Sequence, residues 1–194
     1  MIVIIVEGQG DEEALPVLAR KLLQARAAYP TIETHRVKRN RVVKPGELEK
    51  AVQFAALADD CLGVLVVLDA DEDCPAILGP ELAARAAAAA THKTVGVALA
   101  NAEFESWALA GIEGLRGRRG IDPSAVWTGD PDAVRSPKGL LERLMHGRSY
   151  LETDDQAAFA ALLNPEHARG TSRSFRKFEK ELLRIAGLPP EVAT

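Results

Sequence analysis

Short apolar blocks recur along the chain, and most of them end in glycine or acidic residues. The first is IVIIV, residues 2–6, and the longest, GVLVVL, runs directly into DADED. Blocks that are rich in β-branched residues and too short for a helix predict strands buried on both faces. We predict four strands, of which the second alternates more loosely: 2–6, 31–40, 63–73 and 93–100.

Helical spacing of apolar residues fills the intervals between these strands. Leu15, Leu18 and Leu22, for example, recur on one face of the first interval. The alanine-rich tract that follows a turn between Pro75 and Pro80 is helical on propensity. The predicted helices are 12–27, 45–60, 81–90 and 103–115. This alternation of strand and helix predicts an α/β fold with a mostly parallel sheet flanked by helices.

The pattern changes in the second half of the chain. Residues 116–137 are rich in glycine, proline and charge, which predicts an irregular excursion. Three short helical patterns follow it, near 138–146, 154–163 and 172–187. We therefore divide the chain into an α/β core, residues 1–112, and a C-terminal part, residues 113–194, whose helices elaborate the core and pack on it.

The composition narrows the class of protein. Of the 194 residues, 47% are hydrophobic and 27% are charged, which is typical of a soluble globular chain. The formal net charge of −4 gives no global basic field, so any contact with nucleic acid depends on local patches. No apolar run approaches the roughly 20 residues of a membrane helix, and the amino terminus lacks the basic region of a signal peptide. We expect a cytoplasmic protein without membrane contact, whose Cys61 and Cys74 are reduced thiols.

Carboxylates gather where the predicted strands end. The first, third and fourth strands lead into Glu7, Asp69, Asp71, Glu103 and Glu105. In an open parallel sheet the carboxyl ends of the strands share one edge, and ligands bind there. The additional candidates, close to these acids in sequence, are Asp11 and Asp73.

The carboxylates of such a group repel one another unless they share protons or bind a cation. Hard divalent ions such as Mg²⁺ and Mn²⁺ take oxygen ligands and leave positions for water or phosphate. Asp71 points the same way as Asp69 if the extended conformation continues past the strand. Glu103 and Glu105 can both be ligands only if the next helix starts late. The pattern therefore indicates a divalent-metal site at this edge.

A purely structural role is the alternative for some of these acids. Asp11 would complement the dipole of the helix that it begins, and Asp71 or Asp73 would suit a turn. Glu7 and Asp69 fit this alternative less well. Each ends an apolar buried strand, where a lone carboxylate is costly without a partner.

Several well-known motifs do not account for the acids. GQGDEE matches only the first two glycines of GxGxxG, and Glu13 in the third position would repel a pyrophosphate. No GK[ST] follows, which excludes a Walker loop. LDADED lacks the Thr or Val of haloacid-dehalogenase phosphatases, and response-regulator receivers carry their acid pair after the first strand.

The arrangement that fits is Toprim, the metal-binding core of topoisomerases, primases and OLD-type nucleases. VEGQGD resembles the Toprim element EGxxD, with Glu7 and Asp11 in the matching positions, and LDADED resembles its DxD. The resemblance implies that Glu7 acts as a general acid or base or as a ligand. It also implies that Asp69 and Asp71 hold Mg²⁺ or Mn²⁺, with Glu105 as a further ligand.

A closer resemblance covers almost the whole chain. VEGQGDEEALPVLARKL, LDADEDCPAILGPELAARA, NAEFESWALAG, SPKGLLERLM and SRSFRKFEKEL are similar to a bacterial Toprim-like family grouped as domain of unknown function 4276. This resemblance implies a Toprim-like core over residues 1–112. Because the family often accompanies ATPase genes in bacterial defence loci, it also implies a partner ATPase.

We expect a metal-dependent nuclease or related phosphotransfer enzyme that acts on nucleic acid, in a bacterial defence system. The metal would neutralise phosphate charge and orient the nucleophile. Lys138, in SPKG, is the candidate cation for the pentavalent state. The alternatives are a non-catalytic adaptor or sensor that binds a metal or nucleotide, and a small-molecule phosphohydrolase.

Three basic clusters are candidates for following a phosphate backbone, although each is also typical of a solvated face. They are residues 35–44, 116–119 and 173–180. The candidate nucleic-acid contacts are Arg39, Arg41, Arg118, Arg173 and Lys177. Phe175 and Phe178, within the last cluster, are expected in the core and not stacked on bases.

Overall fold

Four parallel strands form one sheet in the computed structural model, which describes residues 1–190. The strands are β1 (Ile2–Val6), β2 (Ile32–Arg36), β3 (Gly63–Asp69) and β4 (Thr94–Ala100). They lie in the order β2-β1-β3-β4, and every neighbouring pair is parallel. The predicted α/β fold is confirmed, although β2 and β3 end before the predicted limits of 40 and 73.

Helices connect the strands and cover both faces of the sheet. Within the described residues they are α1 (Gln9–Gln24), α2 (Arg39–Val42), α3 (Glu47–Ala56), α4 (Pro75–Ala89), α5 (Glu105–Ala110), α6 (Pro137–Arg143), α7 (Glu152–Leu162), α8 (Pro165–Thr171) and α9 (Arg173–Ile185). The sequence does not predict α2 and α8, because both are short and carry no periodic apolar face. None of the helices in residues 1–190 is long and apolar enough to cross a membrane.

Helix α4 begins earlier than the sequence predicts. The expected turn between Pro75 and Pro80 is instead the first part of this helix. Pro75 occupies the first helical position, where its missing N–H costs no hydrogen bond. Pro80 is exposed, and so is Ala76, whose carbonyl group is the one that Pro80 leaves without a helical donor. Water can therefore replace the lost bond, and the proline does not end the helix.

Two of the three apolar clusters in the core lie on opposite faces of the sheet, and the third joins α5 to α6 and α7. Ile2 and Ile4 of β1 face α1 and α9, whereas Val3 and Ile5 face α3 and α4. Successive side chains of a strand point to opposite faces, so β1, β3 and β4 each supply both clusters. This explains why the blocks in the sequence are continuously apolar.

The C-terminal helices cover part of the same sheet. Helix α9 packs on β4 and β3, and Phe175 and Phe178 are fully buried there, as predicted. Gly96 of β4 makes this approach possible, because a Cβ atom at that position would lie 2.9 Å from Oε2 of Glu181. Helix α7 packs along α1. The division at residue 112 stays a prediction, since α9 belongs to the same apolar cluster as β1 and α1.

Candidate metal and phosphate site

The candidate site lies where the strand order reverses. From β1 the chain passes to β2 on one side, and from β3 it passes to β4 on the other. Ligands of open α/β sheets bind in the crevice at such a point. Glu7 directly follows β1 and Asp69 ends β3. The two residues meet there, since Oε1 of Glu7 accepts a hydrogen bond from the backbone N–H of Asp69 at 3.3 Å.

The other oxygen of Glu7 has no partner. Its Oε2 atom is buried and forms no hydrogen bond within the described part of the chain. Burial raises the pKa of Glu7 to about 7, and the charges of Asp71 and Asp11 add to the rise. The charge of Arg39 and the N–H of Asp69 oppose it. Glu7 is therefore a carboxyl group held near its titration point at neutral pH.

Asp69 shows that several acids interact at this edge. Burial raises its pKa well above the usual range. The charges of four other acids add to the shift: Asp11, Glu7, Glu105 and Asp71. The structure thus places these five carboxyl groups close enough to repel one another. Keeping them ionised together requires a compensating cation.

Asp11 combines a capping contact with burial. Its Oδ2 atom accepts the N–H of Gly8 at 3.1 Å, as the structural alternative expects. The residue is nevertheless buried, and burial raises its pKa, with a further rise from the charge of Glu152. Gly8 must be small here, because a Cβ atom would lie 2.7 Å from the same Oδ2.

Asp71 does not continue the strand. Its φ is +50°, so the extended conformation ends at Asp69, and the condition on which Asp71 would point the same way as Asp69 is not met. Its N–H donates to the carbonyl of Ala102 at 3.0 Å, and Ala102 also has a left-handed φ of +58°. Such conformations cost of order 1–3 kcal/mol each and cluster at functional sites. The ends of β3 and β4 are therefore strained side by side.

The acids after β4 meet the condition of a late helix start. Helix α5 begins at Glu105, and Glu103 precedes it. Glu105 is buried and accepts hydrogen bonds from the hydroxyl of Tyr150 and, at 3.2 Å, from Nε2 of Gln156. Burial raises its pKa, and these two hydrogen bonds oppose the rise. Oε2 of Glu103 accepts the backbone N–H of Lys138 at 3.2 Å.

Lys138 lies at the rim of the acids. Its ammonium group pairs with Glu152 and lies 5.8 Å from the ring centre of Tyr150. Although burial lowers its pKa, the hydrogen bond and charge of Glu152 and the charges of Glu105 and Glu103 raise it overall. Lys138 is thus a cation close to the acidic site.

Arg39 is a second cation at this edge, on the side of β2. It donates to the carbonyl of Asp69 and, at 2.6 Å, to the carboxylate of Asp73. Its Nε atom also lies 3.9 Å from Oδ2 of Asp71. Asp73 is thereby paired with an arginine and not directed at the other acids. The remaining predicted nucleic-acid contacts lie elsewhere: Arg41 on α2 beside Glu47, Arg118 in the excursion, and Arg173 and Lys177 on α9.

Sequence reasoning missed the residues that close the site from the C-terminal side. These are Tyr150, Glu152 and Gln156, at and just before the start of α7. A Cβ atom at Gly10 would lie 1.7 Å from Oε1 of Gln156, so the first turn of α1 touches α7 directly. The second glycine of GQGD was the available signal, because it marks a close approach of another segment.

The oxygen donors of the site are of the kind that a hard divalent ion prefers. Their present arrangement, however, fits such an ion less well. Several carboxylates are desolvated together, and Oε2 of Glu7 is buried without a partner. In residues 1–190, however, no three His, Cys, Asp or Glu side chains are grouped so that they could hold a metal ion as they stand. Glu105 faces Tyr150 and Asp71 is exposed. Small side-chain movements would be needed to bring the oxygens together.

An open cleft borders the acids. It has a volume of about 500 Å³ and is lined by Asp71, Asn101 and Arg135, among others. Asn101 follows β4 and donates to the carbonyl of Asp132, which holds the excursion beside the sheet. Arg135 is exposed and has no carboxylate within ion-pair distance among the described residues. Glu72 and Asp132 line it as well as Asp71, so the cleft offers room and one cation beside a mainly acidic wall.

Comparison with known proteins gives a family and no characterised relative. No curated protein and no solved structure matches the chain. The model of one family matches residues 6–183, which include every acid of the site and all of α1–α8. The chain therefore belongs to the family described as Domain of unknown function (DUF4276).

Proposed function

We propose that this protein is a Mg²⁺- or Mn²⁺-dependent enzyme that cleaves or transfers phosphodiester bonds in nucleic acid, with a Toprim-like site. The observation that carries the proposal is the buried, unpartnered Oε2 of Glu7 beside Asp69 at the point where the strand order reverses. Desolvated acids so close together share protons or bind a cation, and a divalent ion bound here would polarise a phosphoryl oxygen of the substrate.

Glu7, Asp69 and Asp71 are the proposed ligands, with Glu105 as a further one. A bound ion would neutralise phosphate charge and activate or orient the nucleophile. Asp71 lines the open cleft, so a phosphate bound there would lie beside the proposed ligands. The exposed Arg135 in the same cleft can hold a second phosphate oxygen.

The other ionisable groups have distinct roles in this proposal. If Glu7 is not itself a ligand, its pKa of about 7 in the metal-free protein suits it to accept or give up a proton at neutral pH. Lys138, next to Glu103 and Glu105, is positioned to stabilise negative charge that develops on the phosphate. Such preorganised donors typically contribute about 10²- to 10³-fold in rate.

Calorimetric titration of Mn²⁺, followed by a plasmid-nicking assay on the same samples, tests the proposal. We expect wild type to bind Mn²⁺ and nick the plasmid, and Asp69→Asn to lose both. The control is Asp154→Asn, since Asp154 is an exposed acid of α7 away from the proposed ligands. No Mn²⁺ binding by wild type would overturn the metal site, and the acids would then have structural roles only.

A second candidate, a metal-binding adaptor, is favoured by one observation. Arg39 already pairs with Asp73 and lies near Asp71, so part of the acidic edge is neutralised without an ion. In that case the protein would bind Mn²⁺ but would not nick DNA or RNA by itself. Nicking that appears only after a partner ATPase is added would instead support a defence complex in which this chain is the nuclease.

A further inference from the structure

A basic groove opens next to the acidic site, between the end of β2 and α3. Its volume is about 420 Å³. Six of its lining residues are basic or aromatic: His35, Arg36, Lys38, Arg41, Lys50 and Phe54. Glu47 is the one acid among the residues that line it. A groove with this balance of charges attracts an anion.

The single acid does not neutralise the groove. Glu47 is shared by Arg41, at 2.7 Å, and Lys50, at 3.0 Å. Arg36 reaches out of the groove to Glu12, at 3.3 Å and with both side chains partly exposed. Lys38 is exposed and has no carboxylate within ion-pair distance among residues 1–190. Exposed pairs of this kind contribute little and exchange readily, so the cations remain available to phosphate groups.

An exposed aromatic ring lies in the same groove. Phe54 is 65% exposed although it belongs to α3, whose other face packs on the sheet. Its ring centre is 5.2 Å from that of His35, with the planes tilted by 41°. A large apolar side chain that is left in water beside cationic residues is typical of surfaces on which unpaired bases stack.

The groove leads to the candidate catalytic edge. In the sheet Arg36 lies opposite Val6, the residue before Glu7, and the N–H of Val37 donates to the carbonyl of Val6 at 2.8 Å. Arg39 follows Lys38 at the start of α2 and donates to the backbone carbonyl of Asp69 and the carboxylate of Asp73. A chain that lay in the groove beside Lys38 would therefore lie next to the arginine that contacts the acidic edge.

We infer that this groove binds single-stranded nucleic acid, with Phe54 stacking on a base and Lys38 contacting a phosphate. The inference deepens the proposed function by naming the form of the substrate. Duplex DNA keeps its bases stacked on one another, so it cannot use Phe54. Binding of the strand requires no metal, and it can therefore be measured separately from cleavage.

Fluorescence anisotropy with labelled 12-nucleotide single strands, in EDTA, tests the inference. We expect Phe54→Ala to weaken binding roughly 5- to 100-fold, which corresponds to the loss of one stacked base. Lys38→Ala should weaken binding of all sequences alike and lower the slope of log K against log salt by about one. The matched controls are Tyr29→Ala, an aromatic residue that is 76% exposed away from the groove, and Arg143→Ala, an exposed cation on α6 outside the three basic clusters.

Weaker binding by the groove variants and unchanged binding by the controls would support the inference. No binding by wild type, or equal binding of duplex and single strand without an effect of Phe54→Ala, would overturn it. Displacement of the strand by polyglutamate as effectively as by unlabelled strand would also overturn it, in favour of an acidic protein partner. Nicking without strand binding in EDTA would overturn only the proposal that the groove binds the strand. Strand binding without nicking would support that proposal and overturn the nuclease activity.

Discussion

Two groups of buried carboxylates differ in how their charge is compensated. Asp155 of α7 is fully buried, yet two arginines and a backbone N–H surround it. Arg119 contacts its Oδ1 at 2.8 Å, and Arg148 and the N–H of Leu151 contact its Oδ2 at 2.7 and 2.9 Å. Glu7, by contrast, accepts one backbone N–H with its Oε1 atom. Its Oε2 atom has no hydrogen-bond partner in the described chain.

Asp132 resembles Asp155 in this respect. Its carboxylate accepts the hydroxyl groups of Ser172 and Ser174 and the N–H groups of Arg173 and Ser174, at 2.6 to 3.0 Å. It thereby caps the first turn of α9 and connects the excursion to that helix. Burial of an acid therefore does not mark a functional site by itself. The useful signal is a buried carboxylate whose oxygens lack partners.

The largest expected change in the free energy of unfolding follows the replacement of an acid whose oxygens have partners. Asp155→Ala should lower the free energy of unfolding by about 3 kcal/mol, because it leaves two arginines without their carboxylate in a largely buried place. Urea denaturation of wild type and variant measures the change. Asp154→Ala, the exposed neighbour, should change the free energy of unfolding by less than about 0.5 kcal/mol. If Asp155→Ala were as mild as its neighbour, the contrast between the two groups of acids would be lost.

A smaller change in stability, of opposite sign, is expected when Glu7 is replaced. The folded protein raises the pKa of this group from its ordinary value of 4.5 to about 7, so the native state binds the proton more tightly than the unfolded state does. Stability without metal should then fall as the pH rises from about 4.5 to 7 and level off above. Glu7→Gln removes this loss of stability at higher pH, because glutamine does not ionise. Allowing for solvent screening of the half-buried group, it should stabilise the protein at pH 8 by on the order of 1–2 kcal/mol.

Urea denaturation in EDTA at several pH values between 4 and 8 checks this prediction. The difference between Glu7→Gln and wild type should be near zero at the acid end and grow as Glu7 ionises. Saturating Mn²⁺ should stabilise wild type, since a ligand that binds only the native state raises its stability. A variant that is less stable than wild type at pH 8 would contradict the view that Glu7 is an uncompensated charge.

Most of the sheet could be predicted from the sequence, because β1, β3 and β4 are continuous apolar blocks with their own boundaries. The block 2–6 became β1 without change, and the acids at the strand ends followed from parallel topology. The direction of Asp71 could not be predicted, since it depends on a left-handed turn that the carbonyl of Ala102 stabilises from the next strand. Local sequence does not report such a contact between strands.

The contributions of the C-terminal part were also beyond the sequence. Tyr150 contacts Glu105 across 45 positions of the chain, and Glu152 and Gln156 reach the site only because α7 packs along α1. No spacing rule connects residues so far apart. The hydrophobic face of α9, in contrast, was visible, because its apolar residues recur at helical spacing and all of them are buried.

The smallest expected effect on stability concerns Lys138, at the rim of the site. Its replacement distinguishes a catalytic role of this residue from a structural one. Lys138 pairs with Glu152, and about 41% of the lysine side chain is exposed, so Lys138→Gln should change the free energy of unfolding by less than about 0.5 kcal/mol. The same variant should lower the nicking rate about 10²-fold if Lys138 stabilises charge on the phosphate. Arg143→Gln, which replaces an exposed cation in the last turn of the same helix, is the matched control and should leave both quantities unchanged. A full nicking rate in a stable Lys138→Gln protein would limit Lys138 to its pairing with Glu152, and Arg39 and Arg135 would then be the remaining cations for the phosphate.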